Sequence, residues 1–194
     1  MVEHIDIFPV PIFRSTFNNA ISLQTSVVPI LKDIELNDSD PVRYSTNGYT
    51  SYGKSNVFEL EELNELKTFI CSNVYDINQR IGINNNIELK GGWFSINRQH
   101  SYHEMHNHIP DIWSGVYYVQ ASTTDAALTF ANKNLNSNWP YTSSMNTNYT
   151  SSVVNCSVET GVLYIFPSYL NHKVDQQIED NERITISFNF GAVE

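Results

Sequence analysis

RITISFNF, residues 183–190, alternates without a break: Arg183, Thr185, Ser187 and Asn189 fall on one face of an extended chain, and Ile184, Ile186, Phe188 and Phe190 on the other. Such a strand either shows its polar face to water, with Arg183 in a surface ion pair to Glu179 or Glu182, or turns that face into a polar interior. In the second case a guanidinium with a hydroxyl two residues on suits a bidentate, charge-assisted grip on a carboxylate.

Outward from this strand the second half of the chain keeps the same character. IELKGGWFSINR (87–98), SGVYYVQAS (114–122), AALTFAN (126–132), SVVNCSVE (152–159) and GVLYIFPSY (161–169) are short β-branched or aromatic runs separated by turn residues, the pattern of a sandwich or barrel. Asn132 to Ser152 interrupts them with an Asn/Ser/Thr-rich stretch longer than a hairpin loop, readable as a solvated loop or as an ordered lid over a pocket. Asn148 and Asn155 match the glycosylation pattern only as chance would give it in so Asn- and Thr-rich a chain.

The first half reads differently. IDIFPVPIF (5–13), with Pro9 and Pro11, suits an edge strand or extended arm. Ile21, Leu23, Val27, Val28, Ile30, Leu31 and Ile34 predict a helix from about Ala20 to Glu35 that Pro29 must start late or kink. After a Gly-, Tyr- and Ser-rich stretch (45–56), Phe58, Leu63, Leu66, Phe69, Ile70, Ile77 and Ile81 predict a second helix, its acidic ELEEL start at the positive end of the helix dipole. The predicted class is therefore an all-β core with flanking helices (α+β). One domain spans 1–194, with arm and supporting helices in 1–90 and the β core in 91–194.

Composition narrows the partners. With 41% hydrophobic and 12% aromatic residues the 194-residue chain has material for a core. A net charge of −10 leaves no basic surface for duplex nucleic acid. The N-terminus carries neither a basic leader nor a long apolar run, and no apolar stretch reaches membrane-spanning length, which predicts a cytoplasmic protein, in the host cytoplasm were the chain viral. Cys71 and Cys156 lie far apart without CxxC spacing, so neither a disulfide framework nor a sulfur-ligated zinc site is expected.

HSYHEMHNH (100–108) holds four of the six histidines. On a strand His106 and His108, flanking Asn107, present two imidazoles to one ion, although a lone HxH needs a third ligand. His172, delivered after the Pro-containing turn of GVLYIFPSYLNHKV (161–174), can supply it, because non-adjacent strands of a small barrel converge at its mouth. With Arg183 facing inward, the site would hold an anionic small molecule beside a metal.

These residues carry a resemblance. NRQHSYHEMHNHIPDIWSGVYYV (97–119), GVLYIFPSYLNHKV and ERITISFNF (182–190), in this order and spacing, resemble the 2-oxoglutarate/Fe(II)-dependent oxygenases, in the branch common in bacteria and their viruses; IFPVPIF (7–13) also fits. The resemblance implies a double-stranded β-helix, a cupin-like jelly roll, with the N-terminal helices packed on one sheet. It implies Fe(II), 2-oxoglutarate and O₂, and oxidative decarboxylation of 2-oxoglutarate coupled to hydroxylation of a small-molecule or peptide substrate; a homodimer is compatible with it. By position His106 and His172 become iron ligands, Arg183 helped by Thr185 pairs with the distal carboxylate, and Tyr118 adds its phenol, with Tyr117 its exclusive rival on the opposite face.

The departure from the family pattern lies at the carboxylate ligand, where H-x-D is His106-Asn107-His108. Either His108 completes a three-histidine site, which strand alternation favours, or Asp111 reaches back from the turn. His100, His103 and Glu104 then stand around the metal or at the entrance, and Trp113 or Trp139 near the mouth. Two other classes compete. A cupin metalloenzyme that never uses 2-oxoglutarate shares the His106, His108 and His172 spacing but has no need of Arg183, and a non-catalytic jelly-roll binding or structural module shares only the fold.

Overall fold

The computed structural model describes residues 3, 9–41, 47–83, 86–131 and 151–193. Its strands, in chain order, are β1 (Phe13–Thr16), β2 (Gly48–Thr50), β3 (Ile87–Asn97), β4 (His103–His106), β5 (Trp113–Gln120), β6 (Leu128–Ala131), β7 (Val153–Cys156), β8 (Val162–Pro167), β9 (Asn171–Val174) and β10 (Arg183–Ala192). They form a six-stranded sheet, β1-β8-β5-β10-β3-β2, and a four-stranded sheet, β4-β9-β6-β7, with antiparallel pairing throughout. This is the double-stranded β-helix; each extended run expected in the second half contains a strand, whereas the expected N-terminal run contributes only Phe13 to β1, residues 9–12 lying outside any strand. β1 at the sheet edge begins just after Pro11, as a proline-led edge strand should; residues 4–8 of that arm lie outside the described residues.

Alternation along the large sheet creates two cores, one on each side. Phe94 and Ile96 of β3, Trp113, Tyr117 and Val119 of β5, Leu163 and Ile165 of β8, and Ile184, Ile186, Phe188 and Phe190 of β10 all join one apolar cluster. The helices complete it: Leu23, Val27 and Leu31 from α1 (Ala20–Leu36), and Leu66, Ile70, Val74 and Ile77 from α2 (Asn64–Ile81). Each such side chain, once buried, contributes about 1.5–3 kcal/mol, which is what holds the helices on the sheet. On the opposite face Tyr118, Val162, Tyr164 and Phe166 meet Leu128 and Phe130 of the small sheet.

α1 starts at Ala20, as expected, and continues past Pro29, so the proline does not delay it. Pro29 lies on the exposed side, where water can satisfy the carbonyl it leaves free, while the apolar stripe fixes the helix on the sheet. The acidic stretch ahead of α2 is not its first turn: Val57–Glu59 and Glu61–Leu63 form two short 3₁₀ turns, α2 begins at Asn64, and Glu65 alone supplies the acidic first turn. Gly82 ends α2 at φ 75°, a left-handed conformation that suits glycine. Arg98, just past β3, holds Glu35 of α1 through Nη1 and Nη2 at 2.8 and 2.7 Å and reaches Glu182 through Nε at 3.0 Å. Glu182 also pairs with Lys32 and not with Arg183, which removes the surface ion pair weighed from the sequence. The lid or loop of 132–150, Trp139 and Asn148 lie outside the described residues. Among the described residues no helix is long and apolar enough to cross a membrane.

Candidate metal centre

β4 and β9 pair with His106 opposite His172. β9 owes its position to the turn after β8, closed by the Leu170 N–H donating to the Pro167 carbonyl at 2.9 Å, which hands the chain from the large sheet to the small one. His172 is buried against the Phe166 ring, 4.7 Å between centroids, and its Nδ1 bonds the Leu170 carbonyl at 2.9 Å. His106 Nδ1 bonds the Glu104 carbonyl at 2.7 Å. In each case the carbonyl accepts a hydrogen bond from Nδ1–H, which leaves Nε2 as the lone-pair donor.

His108 arrives by a route other than the expected one. β4 ends at His106, so strand alternation does not place His108; its backbone does. The His108 N–H donates to the Ser168 carbonyl at 2.8 Å and its own carbonyl accepts from Asp111 N–H at 2.9 Å, a pair of anchors that swing the ring toward the other two. Ring centroids of His106, His108 and His172 lie 4.3 to 5.2 Å apart, and one ligating nitrogen from each falls within 4.8 Å of the others, a spacing at which one divalent ion can engage all three. Asp111 is not in that group. Its carboxylate takes a hydrogen bond from Asn189 near Gly191 of β10, and burial raises its pKa against the pull of Lys90. Asn107 also turns away, its amide donating to Asn171 Oδ1 at 3.0 Å.

The three histidines line a cavity of about 390 Å³ whose deep end is polar. Arg183, 1% exposed, donates through Nη1 to the Ala126 carbonyl at 2.7 Å, and its Nε has no partner among the described residues. Nearby Asp125 is already engaged by Ser122 N–H, Gln177 and Asn181. Desolvation therefore weighs on a guanidinium that cannot lose its proton, and an anion in the cavity would relieve it. Thr185 and Tyr118, register partners across β10 and β5, line the same space. Tyr117 points the other way, edge-on to Phe17 at 6.1 Å in the helix-side core. Burial pushes the Tyr118 phenol far up despite Arg183, so at neutral pH it is a hydrogen-bond donor.

Burial lowers His172 to about 3 and His108 to about 4, each helped by the neighbouring imidazoles, and so keeps both rings neutral and available as ligands. His103 is lowered to about 3 by burial and then by Arg183. It lines the cavity near that arginine, with Nε2 3.0 Å from Asn97 Oδ1, whereas His100, exposed at φ 71°, stays outside. Trp113 is not at the mouth: it is 2% exposed in the helix-side core, donating from Nε1 to Asn78 at 2.9 Å. Trp93, 5.7 Å from the His108 ring, and Tyr52, edge-on to Trp93 at 4.9 Å, take that place in the cavity wall. Asn97 and Trp93 are functional candidates that the sequence motifs do not single out, although both follow from alternation along β3 once Phe94 and Ile96 face the helices.

The family model described as "Putative 2OG-Fe(II) oxygenase" matches residues 91–189, just over half of the chain, from within β3 to within β10. The chain belongs to the 2OG-Fe(II) oxygenase family. No curated protein matches it in sequence. Among solved structures this oxygenase-family chain is similar to a Pseudomonas putida prolyl-4-hydroxylase, at 14% identity, 95% of this chain against 94% of that one and a TM-score of 0.67. It is also similar to HygX from Streptomyces hygroscopicus bound to nickel, 2-oxoglutarate and hygromycin B, at 12% identity, 95% against 84% and 0.65. A third is SnoN, a non-heme α-ketoglutarate-dependent epimerase from nogalamycin biosynthesis, at 8% identity, 94% against 77% and 0.68. At these identities the likeness is one of fold, and it extends to the helices on the large sheet.

Proposed function

We propose that this oxygenase binds Fe(II) through His106, His108 and His172, holds 2-oxoglutarate by its distal carboxylate on Arg183, Thr185 and Tyr118, and hydroxylates a small-molecule or peptide substrate. The observation that carries the reading is one cavity with three convergent imidazoles and a buried guanidinium. The donor set fits the metal: neutral imidazoles suit Fe(II), and two have their tautomer fixed by backbone carbonyls. When bound, iron with 2-oxoglutarate and O₂ supplies oxidative decarboxylation of the cosubstrate to succinate and CO₂, coupled to insertion of one oxygen atom into a substrate C–H bond.

The protein's part is to bind and exclude. Arg183 fixes the distal carboxylate, Thr185 and Tyr118 donate to it, and Phe166, Leu128 and Val116 keep water from the cavity wall. Trp93 and Tyr52 stand where an acceptor substrate would approach. The solved neighbours carry acceptors as unlike as hygromycin B and nogalamycin RO, so the substrate is set by each chain's own wall residues. We assign the reaction to the cytoplasm, where the free thiols of Cys71 and Cys156 stay reduced.

Anaerobic titration of the protein with Fe(II) and 2-oxoglutarate tests the reading. It should give a visible metal-to-ligand charge-transfer band, and Arg183→Ala should abolish 2-oxoglutarate binding while Fe(II) stays bound. Unchanged 2-oxoglutarate affinity in that variant would leave a cupin metalloenzyme as the better reading, and absence of both metal binding and succinate release would leave a binding module.

A further inference from the structure

Four buried side-chain polar atoms lack a hydrogen-bond partner among the described residues: Asn97 Nδ2, Ser101 Oγ, the Tyr117 phenol and Arg183 Nε. A buried N–H left unpaired loses its hydrogen bonds to water and gains none in return, so such atoms are rare and call for an explanation. Two of the four belong together. Asn97 closes β3, Arg183 opens β10, the two are register partners across the sheet, and both line the cavity that holds the histidines. Each is only 1% exposed.

We propose that Asn97 is a further cosubstrate-binding residue, whose amide N–H donates to the distal carboxylate of 2-oxoglutarate beside Arg183. The inference rests on the reading that this cavity takes 2-oxoglutarate. The amide has a donor to spare, because its oxygen is occupied by His103 Nε2 at 3.0 Å while Nδ2 has no partner among the described residues and the residue lines the cavity. Burial keeps His103 neutral, so it serves as a single N–H donor to that oxygen. A carboxylate offers about four acceptor sites, and Arg183 Nε, Asn97 Nδ2, the Thr185 hydroxyl and the Tyr118 phenol supply four donors. Because Asn97 brings no charge, it adds a donor to the carboxylate without burying a second cation beside Arg183. His103, part of the dense histidine cluster, thereby acquires a role as a positioning residue acting through Asn97.

The test is an anaerobic titration of the Fe(II)-loaded protein, read by the charge-transfer band, with 2-oxoglutarate and with 2-oxobutyrate, which chelates the metal alike but has no distal carboxylate. Asn97→Ala should weaken 2-oxoglutarate about tenfold, as the loss of a hydrogen bond to a charged group requires, and leave 2-oxobutyrate affinity unchanged. Asn97→Asp keeps the shape and the oxygen facing His103 but opposes the carboxylate with charge, and should weaken 2-oxoglutarate further than the alanine variant. The retained 2-oxobutyrate band shows that each variant is folded and metal-loaded. Equal loss for both ligands, or loss for neither, would overturn the role of Asn97 while wild-type binding leaves the oxygenase reading intact. A wild-type protein that binds 2-oxoglutarate no better than 2-oxobutyrate would overturn both.

Discussion

At His108 the chain places a neutral imidazole where the family pattern has a carboxylate, and the surroundings have adapted to it. Its backbone is anchored to Ser168, its ring lies beside Trp93, and Asp111 is held away by Asn189. In the proposed three-histidine site, three neutral ligands would leave the ion its full double charge, which should raise its redox potential and strengthen its hold on an anionic chelator. Replacing His108 by Asp returns one negative charge to the metal. His108→Asp should keep Fe(II) bound and move the 2-oxoglutarate charge-transfer band to longer wavelength, because the more electron-rich iron gives up an electron more readily. A band that stays in place would mean that residue 108 does not touch the metal. His108→Ala should lower Fe(II) affinity by at least about tenfold, measured by competition with a chelator.

Within single strands, close approach decides which residues are tolerated. A Cβ added to Gly115 in β5 would lie 2.3 Å from the Phe188 ring and 2.8 Å from the Tyr164 carbonyl, so the Ser-Gly-Val-Tyr-Tyr run needs its glycine for space. Gly115→Ala should destabilise the protein by about 1–3 kcal/mol in denaturant unfolding. Combining it with Phe188→Leu, which removes the ring, should cost less than the two changes made separately; strict additivity would show that the contact is not the cause. The same alternation that put Phe188 toward the helices explains what the sequence could reveal. β3, β5 and β10 were legible from their alternation and β8 from apolar residues on both faces, and parity joined Arg183 to Thr185 and set Tyr118 against Tyr117, while which face turns inward was decided by the fold. Parity also rules Trp113 out of the mouth once Tyr118 faces inward, since the two positions differ by an odd number. β4 (HEMH) and β9 (NHKV) carry no such signal: short and mostly polar, they are extended because they pair with one another and, for β9, with β6, and that pairing is tertiary. Convergence of His108 was expected, but on strand alternation; the route it takes was not legible, because it depends on an anchor to Ser168, sixty residues away in sequence.

For the molecule as a whole, burying histidines beside one another makes stability depend on pH. His103, His108 and His172 sit at about 3, 4 and 3 in the folded chain, against 6.5 when exposed. Below 6.5 the unfolded chain takes up protons that the folded one refuses, so the unfolded state binds more protons and stability falls as pH falls. The loss begins near 6.5 and continues until the folded sites themselves titrate at about 4 and 3. Carboxylates with lowered values, such as Asp175 and Glu182, stand at 3.8 and 4.5 when exposed, so the loss of their contribution begins only at the lower end of the histidine window. Acidification also relieves the self-repulsion of a chain with net charge −10, but that force acts between exposed charges and is largely screened beyond a Debye length of about 8 Å at 0.15 M salt. At that ionic strength the histidines should prevail: the melting temperature of the metal-free protein is expected to drop by several degrees between pH 6.5 and about 4, and His103→Gln should flatten part of the slope. In the proposed site Fe(II) would compete with protons for His108 and His172 only where the folded rings titrate, so the rise in melting temperature it gives should persist well below pH 6.5 and shrink as pH approaches 4. A melting temperature that is level across this interval would mean that the three imidazoles exchange protons with solvent as freely in the folded chain as in the unfolded one.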